Sequence, residues 1–270
     1  MTLVELAPQH KTGLALNHAV LTAAGCWGFA DEYAGLVDFS RLGALVTNPV
    51  TWRSRRPARQ QQVLPIPGGV LIHTGLPNPG LRNLCEEYAG RWSHLSCPVI
   101  LHLAVTSIEE TDRAVQYCER MDVFAGIELG FRDEEEAQSV RYAIEAAVAG
   151  MLPVLARVPF RRASEFALLA EQAGAAALTV AAPPRGTLPD PDGPRTQRGR
   201  IYGAALFPQL LPVLAEVRTL TNLPVIAVGG IHTPAQARAC LTAGAIAVQI
   251  DSLVWTAPEE IPAICEAVLA

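Results

Sequence analysis

Leu223-Pro-Val-Ile-Ala-Val-Gly-Gly-Ile231 and, further on, Thr242-Ala-Gly-Ala-Ile-Ala-Val-Gln-Ile-Asp-Ser252 form the stretch whose reading decides the fold. Each half is a short apolar run that ends in small residues, and a helix-length segment opening at Thr233-Pro234 separates them. Two consecutive parallel strands joined by a crossover helix read this way. Gly229-Gly230 stands where the first strand ends. Glycine there lets backbone N–H groups approach a ligand closely, and in (β/α)8 barrels the loops after strands 7 and 8 commonly hold a phosphate. The pattern implies a small molecule bearing a phosphate at the carboxyl end of a barrel, without saying which one.

Working outward, the same kind of run recurs along the chain. Strands are expected at Ala19–Ala24, Ala44–Thr47, Val99–Ala104, Gly126–Leu129, Pro153–Val158, Ala177–Val180, Val225–Val228 and Ala247–Ile250. Helical periodicity occupies Ile108–Arg120, Glu134–Ala149, Ala163–Gln172, Pro208–Leu220, Pro234–Leu241 and Pro262–Leu269. Alternating strands and helices imply parallel pairing through right-handed crossovers, and eight units favour closure into a barrel over an open sheet. The chain is therefore read as one α/β domain, a (β/α)8 TIM barrel over residues 1–270, close to the roughly 250 residues typical of that fold. Two long connections interrupt the rhythm, at about 51–81 and 181–203. The first carries a candidate extra strand at Val70–His73, and the second is rich in proline, glycine and arginine. Both follow a strand, on the face where barrel sites form.

Composition narrows the function classes. A net charge of −5 is no footprint for nucleic acid, and no apolar run approaches the ~20 residues of a membrane span. The first twenty residues lack a secretory layout, and six scattered cysteines show neither CxxC nor histidines at metal-ligand spacing. This reads as a cytoplasmic protein with reduced thiols and no metal site. Lys11 is the only lysine among 21 basic residues, so lysine chemistry is all but excluded beyond the N-terminus.

Several blocks, in order, resemble the dihydroorotate dehydrogenase family, most closely its soluble class 1 members. They are Asn17 to Gly28, Leu42 to Thr51, the turn Thr74-Gly-Leu-Pro-Asn-Pro-Gly80, Ile127-Glu-Leu129, Ile201 to Pro208, Val228-Gly-Gly-Ile231 and Ala243 to Ile250. The resemblance implies an FMN-dependent oxidoreductase of pyrimidine biosynthesis that converts dihydroorotate to orotate. A base would take the C5 proton while hydride passes from C6 to the flavin. It places the FMN phosphate at Gly203, Gly229, Gly230 and Ser252, and the flavin over Ala23, Ala24 and Gly25. The family's first lysine falls on Asn48 here, and its second on Arg157, whose guanidinium can supply the same charge. Asp133 lies nearest the family's cysteine or serine base; the stronger reading of it is as the N-cap of the helix that follows. Where the family uses asparagines to grip orotate, this chain has Ile72, Gly130, Glu135 and Ala181, and Asp251 replaces a glycine beside the phosphate.

Three further features are candidates on their own chemistry. The arginines of the second long connection, Arg185, Arg195, Arg198 and Arg200, suit a phosphate. His73, His102 and His232 fall at or near strand ends, where imidazoles do acid–base work, and the sequence leaves open whether His102 faces the barrel interior. The joint departure from both lysines, the base and the asparagines raises an alternative, a catalytically silent phosphate- or nucleotide-binding barrel or partner subunit. A phosphosugar isomerase or synthase is a third reading. A homodimer is one assembly open to any of them.

Overall fold

The structure, a computed structural model, describes residues 3–59, 62–190 and 193–268. The ends of the domain span 1–270, the last residue of the expected helix Pro262–Leu269, and residues 60, 61, 191 and 192 of the two long connections lie outside the described residues. All eight expected strands are present: β1 Val20–Thr22, β2 Leu45–Val46, β3 Val99–Ala104, β4 Gly126–Gly130, β5 Val154–Pro159, β6 Ala177–Ala182, β7 Val225–Val228 and β8 Ala247–Ile250. They pair in parallel in the order β1-β8-β7-β6-β5-β4-β3-β2, and a parallel bridge from Leu21 to Ala44 joins β1 to β2 and closes the barrel.

The crossover helices are α1 Leu81–Trp92, α2 Ile108–Met121, α3 Ala137–Val148, α4 Ala163–Gln172, α5 Phe207–Leu220 and α6 Pro234–Thr242; α7 Leu253–Thr256 and α8 Ile261–Ala267 end the chain. Their starts carry local reasons. Ser107 caps α2 by accepting the Glu110 N–H, and Thr233 and Gln236 make a reciprocal capping box ahead of Pro234. Helix α1 is an addition to the sequence reading, which assigned no element there; Leu81, Leu84, Cys85 and Trp92 give it a buried stripe at helical spacing. Helix α3 begins at Ala137 after Glu136, three residues later than expected, so Asp133 does not cap it.

The interior is layered by the two-residue alternation of the strands. Leu21, Val46, Ile100, Leu155, Ala177, Ile226 and Ala247 form an apolar layer inside the barrel. The antiparallel pair Val4–Glu5 and Ala15–Leu16 plugs it from below with Leu6, Leu14 and Leu16. A second apolar layer, outside the strands, packs Leu101, Ile127, Leu178 and Val248 against helix residues such as Ile144, Phe166 and Leu214.

The two long connections are not structureless. Gln62–Ile66, Gly69–His73, Arg185–Pro189 and Thr196–Tyr202 form one four-stranded antiparallel sheet, ordered 185–189, 196–202, 69–73, 62–66. The expected extra strand is its Gly69–His73 member, and the arginine-rich segment is a hairpin pairing Arg185 with Arg200. Gly203, at φ 133°, packs its Cα so closely on Gly69 that a side chain would collide with backbone. This small sheet covers one side of the carboxyl end of the barrel.

Trp27 locks the closure. Its indole N–H donates to the Ile250 carbonyl at 2.6 Å, and its ring meets Tyr33 and Phe39 edge-on, fully buried. Trp27→Ala is expected to lower unfolding free energy by about 3–5 kcal/mol, the usual range for emptying a buried aromatic site, read from urea denaturation.

Candidate functional site

One step above the apolar interior layer, the strands turn polar. Because Ile100, Leu155, Ala177 and Ala247 point inward, the residues two positions on do the same: His102, Arg157, Thr179 and Gln249. Glu128 of β4 joins them, fully buried. His102 thus faces the interior, which the sequence alone did not decide. Its Nδ1 lies 2.7 Å from Glu128 Oε1. The Thr179 hydroxyl and the Gln249 amide donate to Glu128 Oε2 at 2.5 and 2.8 Å. Arg157 Nη1 stands 3.9 Å from Oε1 and donates to the Ala24 carbonyl at 3.1 Å.

Burial alone would raise the Glu128 carboxyl, but the hydrogen bond and charge of His102, the Arg157 charge and the Thr179 hydroxyl hold it down to about 2. Burial lowers the His102 imidazole below its ordinary value, with Arg157 adding to the effect and Glu128 opposing it. The imidazole is accordingly neutral near pH 7, with Nδ1–H directed to the carboxylate. Arg157 is only 3% exposed, and its Nε and Nη2 have no partner among the described residues.

Above this layer opens a cavity of about 630 Å³. Its walls include Arg157 and His102 below, and Arg55, Arg132, His73, Arg185, Arg198 and Arg200 around the mouth, with no carboxylate among the lining residues. Ala24, Gly25 and Asn48 line it too, and the Asn48 side chain accepts the Gly25 N–H at 3.0 Å. Ala23 is fully buried and does not line it. Ile72 and Gly130, at two of the aligned substrate positions, do line it, whereas Glu135 is tied to Arg132 and Ala181 is buried outside it.

Asp133 is not placed as a base. Its carboxylate takes Arg200 at 2.9 Å and stands 3.7 Å from Arg185, so it anchors the arginine hairpin and does not line the cavity. Arg195 is exposed and away from the cavity. The six cysteines are free and buried, none of them lining it; burial pushes the Cys97 thiol up to about 11 and Cys240 up to about 12. No thiolate base is available there at neutral pH.

Gly229, Gly230 and Ser252 do come together at the ends of β7 and β8, with Gly203, which follows the strand Thr196–Tyr202, against Gly230; none of the four lines the cavity. Asp251 is folded into that turn: it accepts the Gly230 N–H at 3.1 Å and the Ser252 N–H at 2.6 Å, fully buried. His232 lies 3.2 Å from Ser252 Oγ and 3.9 Å from Asp251; burial lowers its imidazole, and the Asp251 charge opposes this. Among the described residues, no three His, Cys, Asp or Glu side chains cluster as a metal would need, and no helix is long and apolar enough to cross a membrane.

The family model for dihydroorotate dehydrogenase matches residues 7–130. The catalytic subunit of dihydroorotate dehydrogenase B (NAD(+)) from Desulforudis audaxviator is 30% identical, over 89% of this chain and 84% of that protein. The chain belongs to the dihydroorotate dehydrogenase family. Proteins of the same name from Bacillus caldolyticus (30% identical, 93% of this chain and 86% of the relative) and Carboxydothermus hydrogenoformans (27%, 92% and 87%) span it equally well. Its kinship is with oxidoreductases on a TIM barrel.

The cofactor that the dihydroorotate dehydrogenase resemblance implies, FMN, meets an obstacle at its phosphate end. The backbone donors Gly230 N–H and Ser252 N–H are already bonded to the Asp251 carboxylate. A phosphate there would sit against a buried like charge, at a cost of about 4 kcal/mol per pair of unit charges 4 Å apart. Nor is the path along the barrel end open. The Tyr202 hydroxyl abuts Gly25, where even a Cβ would come within 2.8 Å of it, and the Tyr202 ring packs on Trp255. The residues present do not fit FMN in the position the resemblance assigns.

Glu128, Thr179 and Gln249, with Tyr202, belong to the candidate site, although the sequence does not single them out. Their signal was present: each of the first three is the lone polar residue inside a buried parallel strand that is otherwise apolar. Because the Glu128 carboxyl is depressed, its share of stability is complete above the ordinary value of 4.5 and is lost as pH falls toward about 2. Glu128→Gln is expected to be less stable at pH 7 and to show a flatter decline over that acid window, measured by urea midpoints against pH.

Proposed function

We propose that this dihydroorotate dehydrogenase-family barrel binds a small oxyanion in the arginine-lined cavity, without an FMN phosphate in the Gly229–Gly230 turn. One observation carries the reading: Arg157, buried at the cavity floor, has two unpartnered donors among the described residues. A buried charged donor left without a partner costs upwards of about 1–3 kcal/mol, so the site is built to receive an acceptor. The arginines around the mouth steer the same class of ligand inward. This is a variant of the phosphate- or nucleotide-binding alternative of the sequence analysis, with the anion at the arginine-lined cavity rather than at the β7 and β8 turn. The reading carries a cytoplasmic protein, and because each of the three relatives is named a catalytic subunit, the partner it supports is a separate subunit, with a homodimer as a further assembly.

The second reading is oxidation of dihydroorotate to orotate with bound FMN. It is favoured by the relatives' names and by Arg157 in place of a family lysine. Both ligands of that reaction are carboxylates, so the cavity suits them; the flavin is what separates the readings.

Purified protein mixed with excess FMN and desalted is expected to show no flavin absorbance, while Asp251→Gly combined with Tyr202→Ala gains flavin, because the turn donors are released and the path past Gly25 is opened. Stoichiometric flavin on the unaltered chain would restore the second reading. In parallel, isothermal titration with orotate and with inorganic phosphate is expected to detect binding that Arg157→Gln weakens about tenfold or more, the loss of one charge-assisted hydrogen bond. Equal affinity in the variant would remove Arg157 from the site.

A further inference from the structure

His102 is held in a way that satisfying Glu128 does not by itself require. The carboxylate already has Thr179 and Gln249 on Oε2, and Arg157 stands near Oε1. The imidazole adds its Nδ1–H to Oε1, while the Thr47 hydroxyl accepts the His102 backbone N–H at 3.0 Å and fixes the strand beneath it. A carboxylate only accepts, so the proton sits on Nδ1 and the lone pair on Nε2. Nε2 has no protein partner among the described residues, and His102 lines the cavity. Gly130 lies against it so closely that any Cβ at that position would overlap Nε2. The Arg157 guanidinium, whose Nε and Nη2 have no partner among the described residues, approaches with Nη1 the same oxygen of Glu128 that His102 does. A poised base, oriented by a third group, therefore stands beside a cation with donors still free on the floor of one cavity. A base paired with a stabiliser of developing negative charge is what removal of a proton next to a carbonyl requires.

We infer that His102 is a general acid–base group acting on the anion seated at Arg157, with Glu128 as its positioning residue, and that the substrate is a small carboxylate carrying a C–H beside a carbonyl. The inference rests on the anionic-ligand reading given above. In the forward step Nε2 takes the proton. The C–H electron pair becomes the new C=C bond, and the carbonyl π pair moves onto oxygen, giving an enolate whose charge faces the Arg157 Nη2–H. The Nε2–H then returns the proton to the same carbon or, through the delocalised system, to another. The outcome is exchange or isomerisation, and it needs no oxidant, reductant or cofactor. Burial keeps the imidazole neutral, and so basic, through neutral pH; the charged groups facing it are Glu128 from β4 and Arg157 from β5.

The test is solvent-deuterium uptake followed by proton NMR in D2O, with the full chain, no added flavin, and dihydroorotate and pyruvate as probes. Both are carboxylates with hydrogens next to a carbonyl. The unaltered protein should speed exchange at that carbon in at least one probe, with the acid limb of the rate below the ordinary imidazole value of 6.5. His102→Gln should lose about 100-fold or more, the usual share of one acid–base group. Glu128→Gln should slow exchange and move the acid limb to lower pH, since the carboxylate that raises the imidazole is gone; Glu128→Asp should recover part of both. Saturation-transfer signals on the same samples report binding. Probes that bind but exchange no faster than in buffer, or a His102→Gln chain that exchanges like the unaltered one, would overturn the dyad and leave the anion site standing. Absence of binding by both probes would overturn the anion site and the dyad with it.

Discussion

The upper half of the barrel is organised around one buried carboxylate. Glu128 brings a negative charge to the barrel interior, and side chains from β3, β5, β6 and β8 converge on it. Taking one partner from such a charge typically costs about 3–5 kcal/mol, because the survivor stays buried without compensation. That penalty ties the register of five strands to one another more strictly than the apolar layer beneath, where leucine and alanine can repack. It also fixes what is left over. Arg157 stands near Glu128 and bonds the Ala24 carbonyl with Nη1, and its other donors point to no protein acceptor among the described residues.

Charge is distributed differently from what a phosphate-holding barrel end calls for. At β7 and β8 the N–H groups of the glycine turn close on Asp251, an anion supplied by the chain itself. Positive charge gathers instead across the barrel mouth, where the accessory sheet contributes Arg185, Arg198 and Arg200 and Asp133 holds two of them by ion pairing. Tyr202, which lines the cavity, packs its ring on Trp255, and none of the turn residues lines that cavity. One side of the barrel mouth is thus internally neutralised, and the other carries the excess of positive charge.

The fold was legible because strand and helix periods repeat eight times with few distortions, and every expected strand is present. The accessory sheet was not, because its strands Arg185–Pro189 and Thr196–Tyr202 are polar and half exposed, and an arginine-rich run with prolines carries no hydrophobic alternation. Helix α1 was hidden behind the same long connection, since Gly80 precedes it without a capping side chain. In the site, Arg157 was legible from its place at a strand end. Asp133 was misplaced because proximity in sequence to a loop says nothing of which arginines will reach it across the barrel. The orientation of His102 needed the parity of its strand, which becomes certain only once Ile100 is seen among the interior residues.

Gly130 and His102 occupy the same space in alternative ways: a side chain on one excludes the imidazole of the other. Position 130 is therefore committed to glycine for as long as position 102 carries the imidazole in this orientation, and a substitution at either one is felt at the other. The two residues form a single unit of change, although they stand on neighbouring strands and 28 positions apart in the chain.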